Sequence, residues 1–309
     1  MIGLAGKRIA ITGATGAVGR LLCPILRDSR VHVLVLSRDA KKARLAVEAD
    51  EYITWSAAEE GEWTDAVDGC DAVVSLAGAP FFRKWTPEYR KEAIDSRVIG
   101  TRGLVNAMRK SSRRPVVFVS ASSVGIYGYE EIDDRIIDES SPPGKDSWGQ
   151  DSIQWEAEAE RAQTELGVRT VILRTGIVLS KNDGPLPWWV HMFRRYWGGP
   201  IGPGRQWMPW IHIQDEVGLI QFALALDKVW GPLNCTAPNP QTSKEFFKTL
   251  GRVLNRPSWA PGQAFFLRRR YGDVADVVTR SKRVVPKKAL DLGYKFQFPT
   301  SEEAFRDLI

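Results

Sequence analysis

Nearly continuous apolar runs alternate with segments of helical periodicity over the first two-thirds of the chain. The apolar runs are Arg8–Ile11, Val31–Leu36, Ala72–Leu76, Val116–Ser120 and Thr170–Leu173, and Tyr52–Trp55 is a shorter candidate. The helical patterns lie at Val18–Arg27, Pro87–Lys110 and Ser152–Glu165. Strands without polar alternation are typical of a sheet covered on both faces. The alternation therefore predicts βαβ units and an α/β fold with a doubly wound parallel sheet.

The pattern changes after Leu179. Gly, Pro and Trp dominate Asp183 to Trp210, which predicts a structured loop near a site rather than a helix or strand. Helical patterns return at Lys244–Leu254 and Phe265–Val278. We predict a main α/β domain over residues 1–180, to which about 205–240 returns, and a smaller C-terminal substrate or cap region over 181–309.

Composition narrows the class of protein. The 309 residues are 43% hydrophobic and 26% charged, which fits a globular chain. No apolar run reaches the ~18–20 residues of a membrane-spanning helix, and the first strand begins too early for a signal peptide. We expect a cytoplasmic protein without membrane contact. The three cysteines and three histidines have no metal-ligand spacing, so no metal site is expected.

The net charge is +6, and a basic chain can indicate a nucleic-acid partner. No aromatic and basic recognition motif accompanies this charge. We therefore interpret it as solvated helix faces together with a site for an anionic cofactor, and expect no nucleic-acid partner. The expected partner is a small-molecule substrate, and the sequence does not define the oligomeric state.

A glycine-rich turn between the first strand and the first helix is the most informative motif. Three glycines are spaced G-x-x-G-x-x-G in the segment Gly13, Ala14, Thr15, Gly16, Ala17, Val18, Gly19. Glycine permits a tight turn, close approach of a pyrophosphate and close packing of helix on strand. The N–H groups at the helix N-terminus then face phosphate oxygens. This context predicts dinucleotide binding in an NAD(P)-binding Rossmann fold.

The end of the second strand indicates which cofactor is bound. The strand ends in Ser37-Arg38, and the acidic Asp39 comes two positions late for a residue that holds the ribose 2′-OH of NAD. An Arg at this place accommodates the 2′-phosphate of NADP. NADP(H) is therefore predicted over NAD(H); the alternative is that Arg38 is only a surface charge.

Further segments resemble a known family. They are Asp71–Gly78, Arg83–Trp85, Ser96-Arg97, Ser120–Gly128, Leu173–Leu179, Gly198–Gln206, Trp210–Ile213, Ala237–Pro240 and Val284–Leu290. With the glycine turn, they make the chain similar to the extended, atypical short-chain dehydrogenases/reductases. Within these it most resembles the "epimerase family protein" group, also described as SulA-type nucleoside-diphosphate-sugar epimerases. The match covers nearly the whole chain.

The resemblance implies roles for several residues. Leu76, Ala77 and Gly78 would pass the adenine-ribose side of the cofactor, while Ser120 and Ala121 would lie under the nicotinamide. Ser122 or Ser123 would be the substrate-facing hydroxyl. Counting back from Tyr127, Ser123 stands where extended reductases place their catalytic Ser or Thr, and Ser122 stands where the narrower group tends to keep a Ser.

The Tyr-x-x-x-Lys pair typical of these enzymes is missing. The usual spacing leads to Trp148 and Ser152, and none of the seven tyrosines has a Lys four residues later. A positioned general acid contributes ~10²–10⁴-fold in rate. Tyr127 could act as the proton donor with Ser122 or Ser123; alternatively it packs at the sheet edge.

A substrate loop is expected around Arg205, Trp207, Trp210 and His212. Sugar-nucleotide epimerases often carry an Arg four residues before the His, and here that position is Met208. Arg205 is the alternative anion ligand, and the tryptophans predict either a flat or apolar substrate or a hydrophobic lid. His212 is a catalytic candidate or a structural residue, and Asp215 is predicted to cap the helix Glu216–Leu226.

Two functions are consistent with these motifs. The first is an NADP(H)-dependent oxidoreductase or epimerase-like protein that acts on an unidentified carbonyl, hydroxyl or sugar-like substrate. The second is an NADP(H)-binding sensor or interaction protein with weak or no turnover, which the missing Tyr-x-x-x-Lys pair favours.

Overall fold

A seven-stranded parallel sheet forms the centre of the molecule. The computed structural model describes residues 3–81, 83–132, 134–260, 269 and 272–309. Its strands are β1 (Arg8–Thr12), β2 (His32–Ser37), β3 (Glu51–Thr54), β4 (Ala72–Ser75), β5 (Val117–Ser123), β6 (Ile136–Ile137), β7 (Arg169–Thr175), β8 (Ile177–Leu179), β9 (Trp207–Met208), β10 (Trp210–His212), β11 (Gly231–Cys235), β12 (Gln241–Thr242) and β13 (Arg283–Val284). The main sheet has the order β11-β7-β5-β4-β1-β2-β3.

Helices connect these strands and cover both faces of the sheet. The α-helices are α1 (Ala17–Asp28), α2 (Ala40–Ala46), α3 (Glu62–Val67), α4 (Pro87–Lys110), α5 (Ser147–Leu166), α6 (Leu186–Arg194), α7 (Ile213–Ala225), α8 (Ser243–Leu254), α9 (Asp276–Thr279), α10 (Lys287–Asp291) and α11 (Ser301–Leu308). Two 3₁₀ helices lie at Val124–Tyr127 and Asp273–Ala275.

The sheet is apolar on both faces because a helical layer covers each of them. Leu22 and Leu26 of α1 pack with Leu219 of α7 on one face. On the other face Met108 of α4 packs with Phe118 of β5. Strands covered in this way read as continuous apolar runs. The predicted doubly wound α/β fold is confirmed, and Tyr52–Trp55 largely coincides with the edge strand β3.

Local sequence signals explain where the longest helix begins and ends. Thr86 caps α4 by accepting the Tyr89 N–H at 3.2 Å, and Pro87 occupies the first turn. Proline fits there because the first N–H groups of a helix have no intrahelical partner. Arg109 and Lys110 lie in the last turn, where cations interact favourably with the helix dipole. The helix therefore has the predicted bounds.

The prediction that Asp183–Trp210 lacks regular structure is wrong in part, because α6 lies within it. Trp189, Val190 and Phe193 fall on one face of this helix and are buried. Trp189 meets Phe247 edge to face at 5.1 Å between ring centroids. Burial of this aromatic face outweighs the weak helix propensity of a segment rich in Pro and Gly, so tertiary packing decides the structure.

A second hydrophobic core lies under the later helices. It joins α6 and α8 to Phe305 of α11, whose ring lies 4.9 Å from Phe246. The segment around 205–240 contains α7 and the sheet-edge strand β11, and β13 pairs in parallel with β6. The helix expected over Phe265–Val278 lies partly outside the described residues; its described end forms the second 3₁₀ helix and α9.

No helix among the described residues combines the length and apolar character needed to cross a bilayer.

Candidate functional site

A cleft of about 370 Å³ opens at the carboxyl ends of the central strands. In parallel α/β sheets this edge is where ligands bind. Residues from several parts of the chain line it: Gly13, Gly16, Ala17, Val18, Gly19, Leu76, Ala77, Gly78, Phe81, Trp85, Ile94, Arg97, Ala121, Ser122, Ser123, Val124, Tyr129, Trp148, Asp151, Ser152, Trp155, Thr175, Gly176, Ile177, Val178, Ser180, Asp183, Gly184, Glu216 and Val277.

One wall of the cleft consists of backbone and small side chains from the turn between β1 and α1. We call Gly13, Gly16, Ala17, Val18 and Gly19 the glycine wall. Gly13 has φ +72°, and a Cβ there would lie 2.5 Å from the Leu76 carbonyl carbon. A Cβ on Gly19 would lie 2.5 Å from the Ala14 Cα. Both positions therefore require glycine, one for the turn and one for close helix packing.

The glycine wall also presents the N-terminus of α1. Gly16 is the N-cap, and no side chain accepts a hydrogen bond from the first turn. Free N–H groups at the start of a helix attract anions through their hydrogen bonds and through the helix dipole. The wall can therefore hold phosphate oxygens. Ala14 and Thr15 belong to the same turn and lie outside the cleft lining.

The residues predicted for the 2′-phosphate lie at the end of β2, outside the cleft lining. Arg38 is exposed, and the Ser37 hydroxyl accepts the Asp39 N–H at 3.3 Å. The Asp39 carboxylate caps α2 by accepting the Lys42 N–H at 3.0 Å. The Asp39 carboxylate is thus occupied by a hydrogen bond to the start of α2, while Arg38 is exposed to solvent.

Two serines at the end of β5 line the cleft, and Ser120 is buried behind them. The Ser122 hydroxyl donates a 2.6 Å hydrogen bond to Glu156. Glu156 forms a buried ion pair with Arg174 at 2.8 Å, which fixes the Ser122 side chain. The Ser123 hydroxyl accepts the Gly125 N–H at 3.0 Å.

Tyr127 and Tyr129 have different surroundings although they are two residues apart. The Tyr127 hydroxyl donates to Asn234 at 2.7 Å and accepts from Arg174 at 3.0 Å. Burial raises the pKa of Tyr127 to about 12. The predicted proton donor is therefore held between β7 and β11 and is absent from the cleft lining.

Tyr129, by contrast, lines the cleft. Its hydroxyl hydrogen-bonds with Ser123, and burial raises its pKa. A Cβ on Gly125 would lie 3.3 Å from the Ser123 Oγ and 3.5 Å from the Tyr129 hydroxyl oxygen, so both hydroxyl groups face the same glycine. Tyr129 was not among the predicted site residues.

The opposite wall of the cleft is aromatic. Phe81, Trp85, Trp148 and Trp155 all line it, and we call them the aromatic wall. Trp148, which stands where a catalytic Tyr is usual, lies 4.7 Å from Trp85 between ring centroids. Ser152, which stands where the Lys is usual, donates to the Trp148 carbonyl at 2.9 Å. This wall can contact a flat or apolar ligand but supplies no ammonium group.

Comparison with known proteins defines the family. A family model described as the NAD dependent epimerase/dehydratase family matches residues 9–233. The chain belongs to that family. A second model, a domain of unknown function (DUF1731), matches residues 264–308.

Other members of the epimerase/dehydratase family match the chain over nearly its full length. An Arabidopsis thaliana protein, the chloroplastic homolog of epimerase family protein SDR39U1, is 39% identical over 97% of this chain and 86% of its own. Epimerase family protein YfhF of Bacillus subtilis is 34% identical over 97% of both chains. The crystal structure of human SDR39U1 with NADPH is 30% identical, with a TM-score of 0.85 over 98% of this chain and 99% of that one.

The four residues predicted for a substrate loop lie away from the cleft of this epimerase/dehydratase family member. Arg205 lies in a separate shallow depression with Glu130, Glu131, Ile132 and Arg280. The Trp207 indole N–H donates to Asp134 at 3.0 Å, and Trp210 is buried against Phe246. Trp207 and Trp210 therefore hold other parts of the chain and do not line the cleft.

His212 caps α7, so the predicted capping role of Asp215 is wrong. The His212 Nδ1 accepts the Gln214 N–H at 3.1 Å, and its ring stacks on Phe298 at 3.7 Å. Burial lowers the pKa of His212. Asp215 lies within the first turn, and its carboxylate accepts the Gln297 and Phe298 N–H groups at 2.8 and 2.9 Å. It therefore anchors the C-terminal segment.

Two further ionisable residues line the cleft and were missed. Arg97 donates to the Ala79 carbonyl at 3.0 Å, and burial lowers its pKa to about 10. Glu216 accepts the Thr175 hydroxyl at 2.8 Å, and burial raises its pKa to about 7. An acidic residue inside the apolar pattern of α7 was the available signal for Glu216. Arg97 lies in a helix with many charges, where the family resemblance of the Ser96-Arg97 segment was the one signal for it.

Proposed function

We propose that the cleft binds NADP(H) and that the protein carries out oxidoreductase or epimerase-type chemistry on a small, largely apolar carbonyl or hydroxyl compound. The observation that carries this proposal is the glycine wall, which opens the uncapped N-terminus of α1 into the cleft. Gly13, Gly16 and Gly19 line the cleft without side chains, so a diphosphate can approach their backbone closely. Binding of NADPH by human SDR39U1 supports the same cofactor class.

Different residues of the chain would bind the different parts of the cofactor. The N–H groups of Ala17, Val18 and Gly19 would bind the diphosphate. Leu76–Gly78 would border the adenosine side, and Ala121 would lie under the nicotinamide. When bound, the cofactor supplies or accepts a hydride, and the protein orients it and excludes water.

NADP(H) is proposed over NAD(H) because of the charges at the end of β2. Arg38 is a solvent-facing guanidinium with the geometry to bind a phosphate through paired N–H groups. Asp39, which could have bound a ribose hydroxyl, instead caps α2. Structures of more distant relatives with NAD, such as the UDP-glucuronic acid 4-epimerase of Bacillus cereus at 16% identity, share only the fold.

The aromatic wall favours a flat or apolar substrate over a sugar nucleotide. Among the described residues that line the cleft, Arg97 is the one cation, and it already donates to two backbone carbonyls. Arg205 lies elsewhere, so the expected ligand for a diphosphate is not at the cleft. Aromatic rings offer large faces for stacking on a planar compound.

Ser122, Ser123 and Tyr129 form the proposed hydroxyl set that contacts the substrate oxygen. Ser122 is oriented by Glu156, and Ser123 is in contact with Tyr129. Tyr129 is better supported than Tyr127 as the proton donor, because it lines the cleft and its hydroxyl hydrogen-bonds with Ser123.

Binding of NADP(H) without turnover is the second candidate function. The specific observation in its favour is the replacement of the usual Tyr and Lys on α5 by Trp148 and Ser152. A protein of this kind would respond to the redox state of the cofactor pool through occupancy of the cleft.

Calorimetric titration with NADPH, NADP⁺, NADH and NAD⁺ tests the proposal, followed by a screen for NADPH oxidation with aromatic, aliphatic and sugar-nucleotide carbonyl compounds. We expect binding of the phosphorylated cofactors and turnover of an aromatic carbonyl compound. Turnover should be lost in Tyr129→Phe and kept in the matched variant Tyr127→Phe. Binding without turnover of any compound supports the second candidate, and failure to bind any of the four cofactors overturns both.

A further inference from the structure

Glu216 is a buried carboxyl group in the lining of the cleft. Glu216 is only 3% exposed. One carboxyl oxygen, Oε1, accepts the Thr175 hydroxyl at 2.8 Å. The other, Oε2, has no hydrogen-bond partner among the described residues. A buried polar atom without a partner is costly, so the position beside Oε2 fits a ligand group that completes the bond.

The fold places Glu216 on the nicotinamide half of the cleft. In a doubly wound sheet the two nucleotides of the cofactor lie over the two halves, on either side of the first strand. Arg38 and the β2 end belong to the adenosine half. Thr175 is the last residue of β7, which pairs with β5 in the other half. The hydrogen bond to Thr175 therefore fixes Glu216 over the half that takes the nicotinamide.

We propose that Glu216 faces the nicotinamide of bound NADP(H) and makes the preference between NADP⁺ and NADPH depend on pH. This inference rests on the proposed cofactor site and adds to it a residue that discriminates the two redox forms. The nicotinamide ring is positively charged in NADP⁺ and neutral in NADPH. A carboxylate attracts the oxidised ring, whereas a carboxylic acid does not, so the proton on Glu216 selects between the two forms.

Glu216 can change its charge near neutral pH because burial raises its pKa to about 7. The Thr175 hydrogen bond partly opposes this shift by stabilising the carboxylate. A positive ring nearby would lower the pKa again. Glu216 would then release its proton when NADP⁺ binds and keep it when NADPH binds.

No cation among the described residues perturbs the Glu216 pKa, and Arg97, the cation in the cleft lining, donates to the Ala93 and Ala79 carbonyls. Burial raises the pKa values of Cys235 on β11 and of Tyr294, so both are neutral at pH 7. His212 at the end of β10 is also neutral, because burial lowers its pKa. The remaining charged groups on the two helices packed here are Asp215 on α7, held by backbone N–H groups, and three residues of α1: Arg20, paired with Asp183 at 2.7 Å, Arg27, paired with Asp50 at 3.2 Å, and Asp28 at the helix end.

The test is the ratio of the dissociation constants of NADP⁺ and NADPH, measured calorimetrically over a range of pH. An opposite charge within a few ångströms shifts a carboxyl pKa by about 1–3 units. The ratio should therefore fall by about tenfold or more as the pH rises from about 5.5 to about 8.5. The 2′-phosphate titrates near pH 6 in both cofactors, so its effect cancels in the ratio.

Variants assign the effect to this carboxyl group. Glu216→Gln should make the ratio independent of pH. Glu160→Gln is the matched control, because the pKa of Glu160 is also raised by burial but the residue lies outside the cleft; it should behave as the wild type. Thr175→Val removes a bond that lowers the Glu216 pKa, so the midpoint of the change should move to higher pH. It provides a second readout if Glu216→Gln does not fold.

The outcomes are distinct. A tenfold change in the wild type that disappears in Glu216→Gln supports the inference. A flat ratio in the wild type, or the same pH dependence in Glu216→Gln, overturns the inference and leaves cofactor binding intact. Failure of the wild type to bind either form overturns the proposed function, and the inference with it.

Discussion

The two walls of the cleft are built in different ways. The glycine wall is one continuous turn, and backbone forms its surface: a Cβ at Gly13 or Gly19 would collide with neighbouring main chain. The aromatic wall collects large side chains from the segment before α4 and from α5. The first wall suits a ligand shared by a large protein family. The aromatic wall consists of side chains, which can differ between family members. Substrate specificity therefore resides there.

The largest expected effect comes from Gly13→Ala. The new Cβ meets the Leu76 backbone, and φ +72° is unfavourable for alanine. We expect the free energy of unfolding to fall by about 3–5 kcal/mol, measured by urea denaturation. Gly16→Ala is the matched control: its Cβ would lie 3.2 Å from the Gly13 carbonyl oxygen alone, so the fold should survive while NADPH affinity drops. Equal stability of the two variants would contradict this account of the glycine wall.

A somewhat smaller effect on the free energy of unfolding is expected from the protonation of Glu216, the buried carboxyl group in the cleft. The native protein holds a proton on Glu216 that the unfolded chain releases, because the pKa rises from 4.5 to about 7 on folding. The free energy of unfolding should therefore fall by about 3 kcal/mol as the pH rises through this window. Urea denaturation of Glu216→Gln at both ends of the window should show a flatter dependence and greater stability than the wild type at high pH. Parallel pH profiles would refute this.

Arg38→Ala sharpens the distinction between cofactor and substrate recognition. Loss of a charge-assisted contact to the 2′-phosphate costs about 1.5–3 kcal/mol, so NADPH affinity should fall by about 10–100-fold. The affinity for NADH, which lacks this phosphate, should stay the same. Calorimetry with both cofactors measures the difference, and Lys42→Ala serves as a control for a nearby positive charge. An equal loss for NADH would assign Arg38 a structural role.

Tyr127→Phe gives the smallest effect. The hydroxyl bonds Asn234 and Arg174 behind the cleft, so its removal should lower the free energy of unfolding by about 1–2 kcal/mol. NADPH affinity should not change, because the side chain is absent from the cleft lining. A clear loss of NADPH affinity with unchanged urea stability would place Tyr127 at the cofactor after all.

The glycine wall and the sheet could be predicted from sequence because the sequence signals for them are local. The glycine spacing, the flanking strand and the amphipathic helix are contiguous, and backbone sterics impose the same residues wherever this turn occurs. Helix α4 was equally predictable, since its cap, proline and final cations all lie within it.

The second wall could not be predicted because its partners are distant in sequence. Trp85 and Trp148 meet only once α4 and α5 pack together. Trp210, which the sequence suggested for the substrate loop, packs in the same hydrophobic cluster as Trp85 and Trp148 but does not line the cleft. Tyr127 and Tyr129 illustrate the same limit: they are two residues apart, and spacing alone does not resolve which of them lines the cleft.

The anchoring of the C-terminal segment by Asp215 limits how this protein can be recombined. The carboxylate at the start of α7 binds the backbone at Gln297 and Phe298, and β13 completes a ladder with β6 from the first half of the chain. A C-terminal segment taken from a relative would have to donate backbone hydrogen bonds to Asp215 and pair in register with β6. The described residues 272–309 therefore depend for their position on contacts with the rest of the chain.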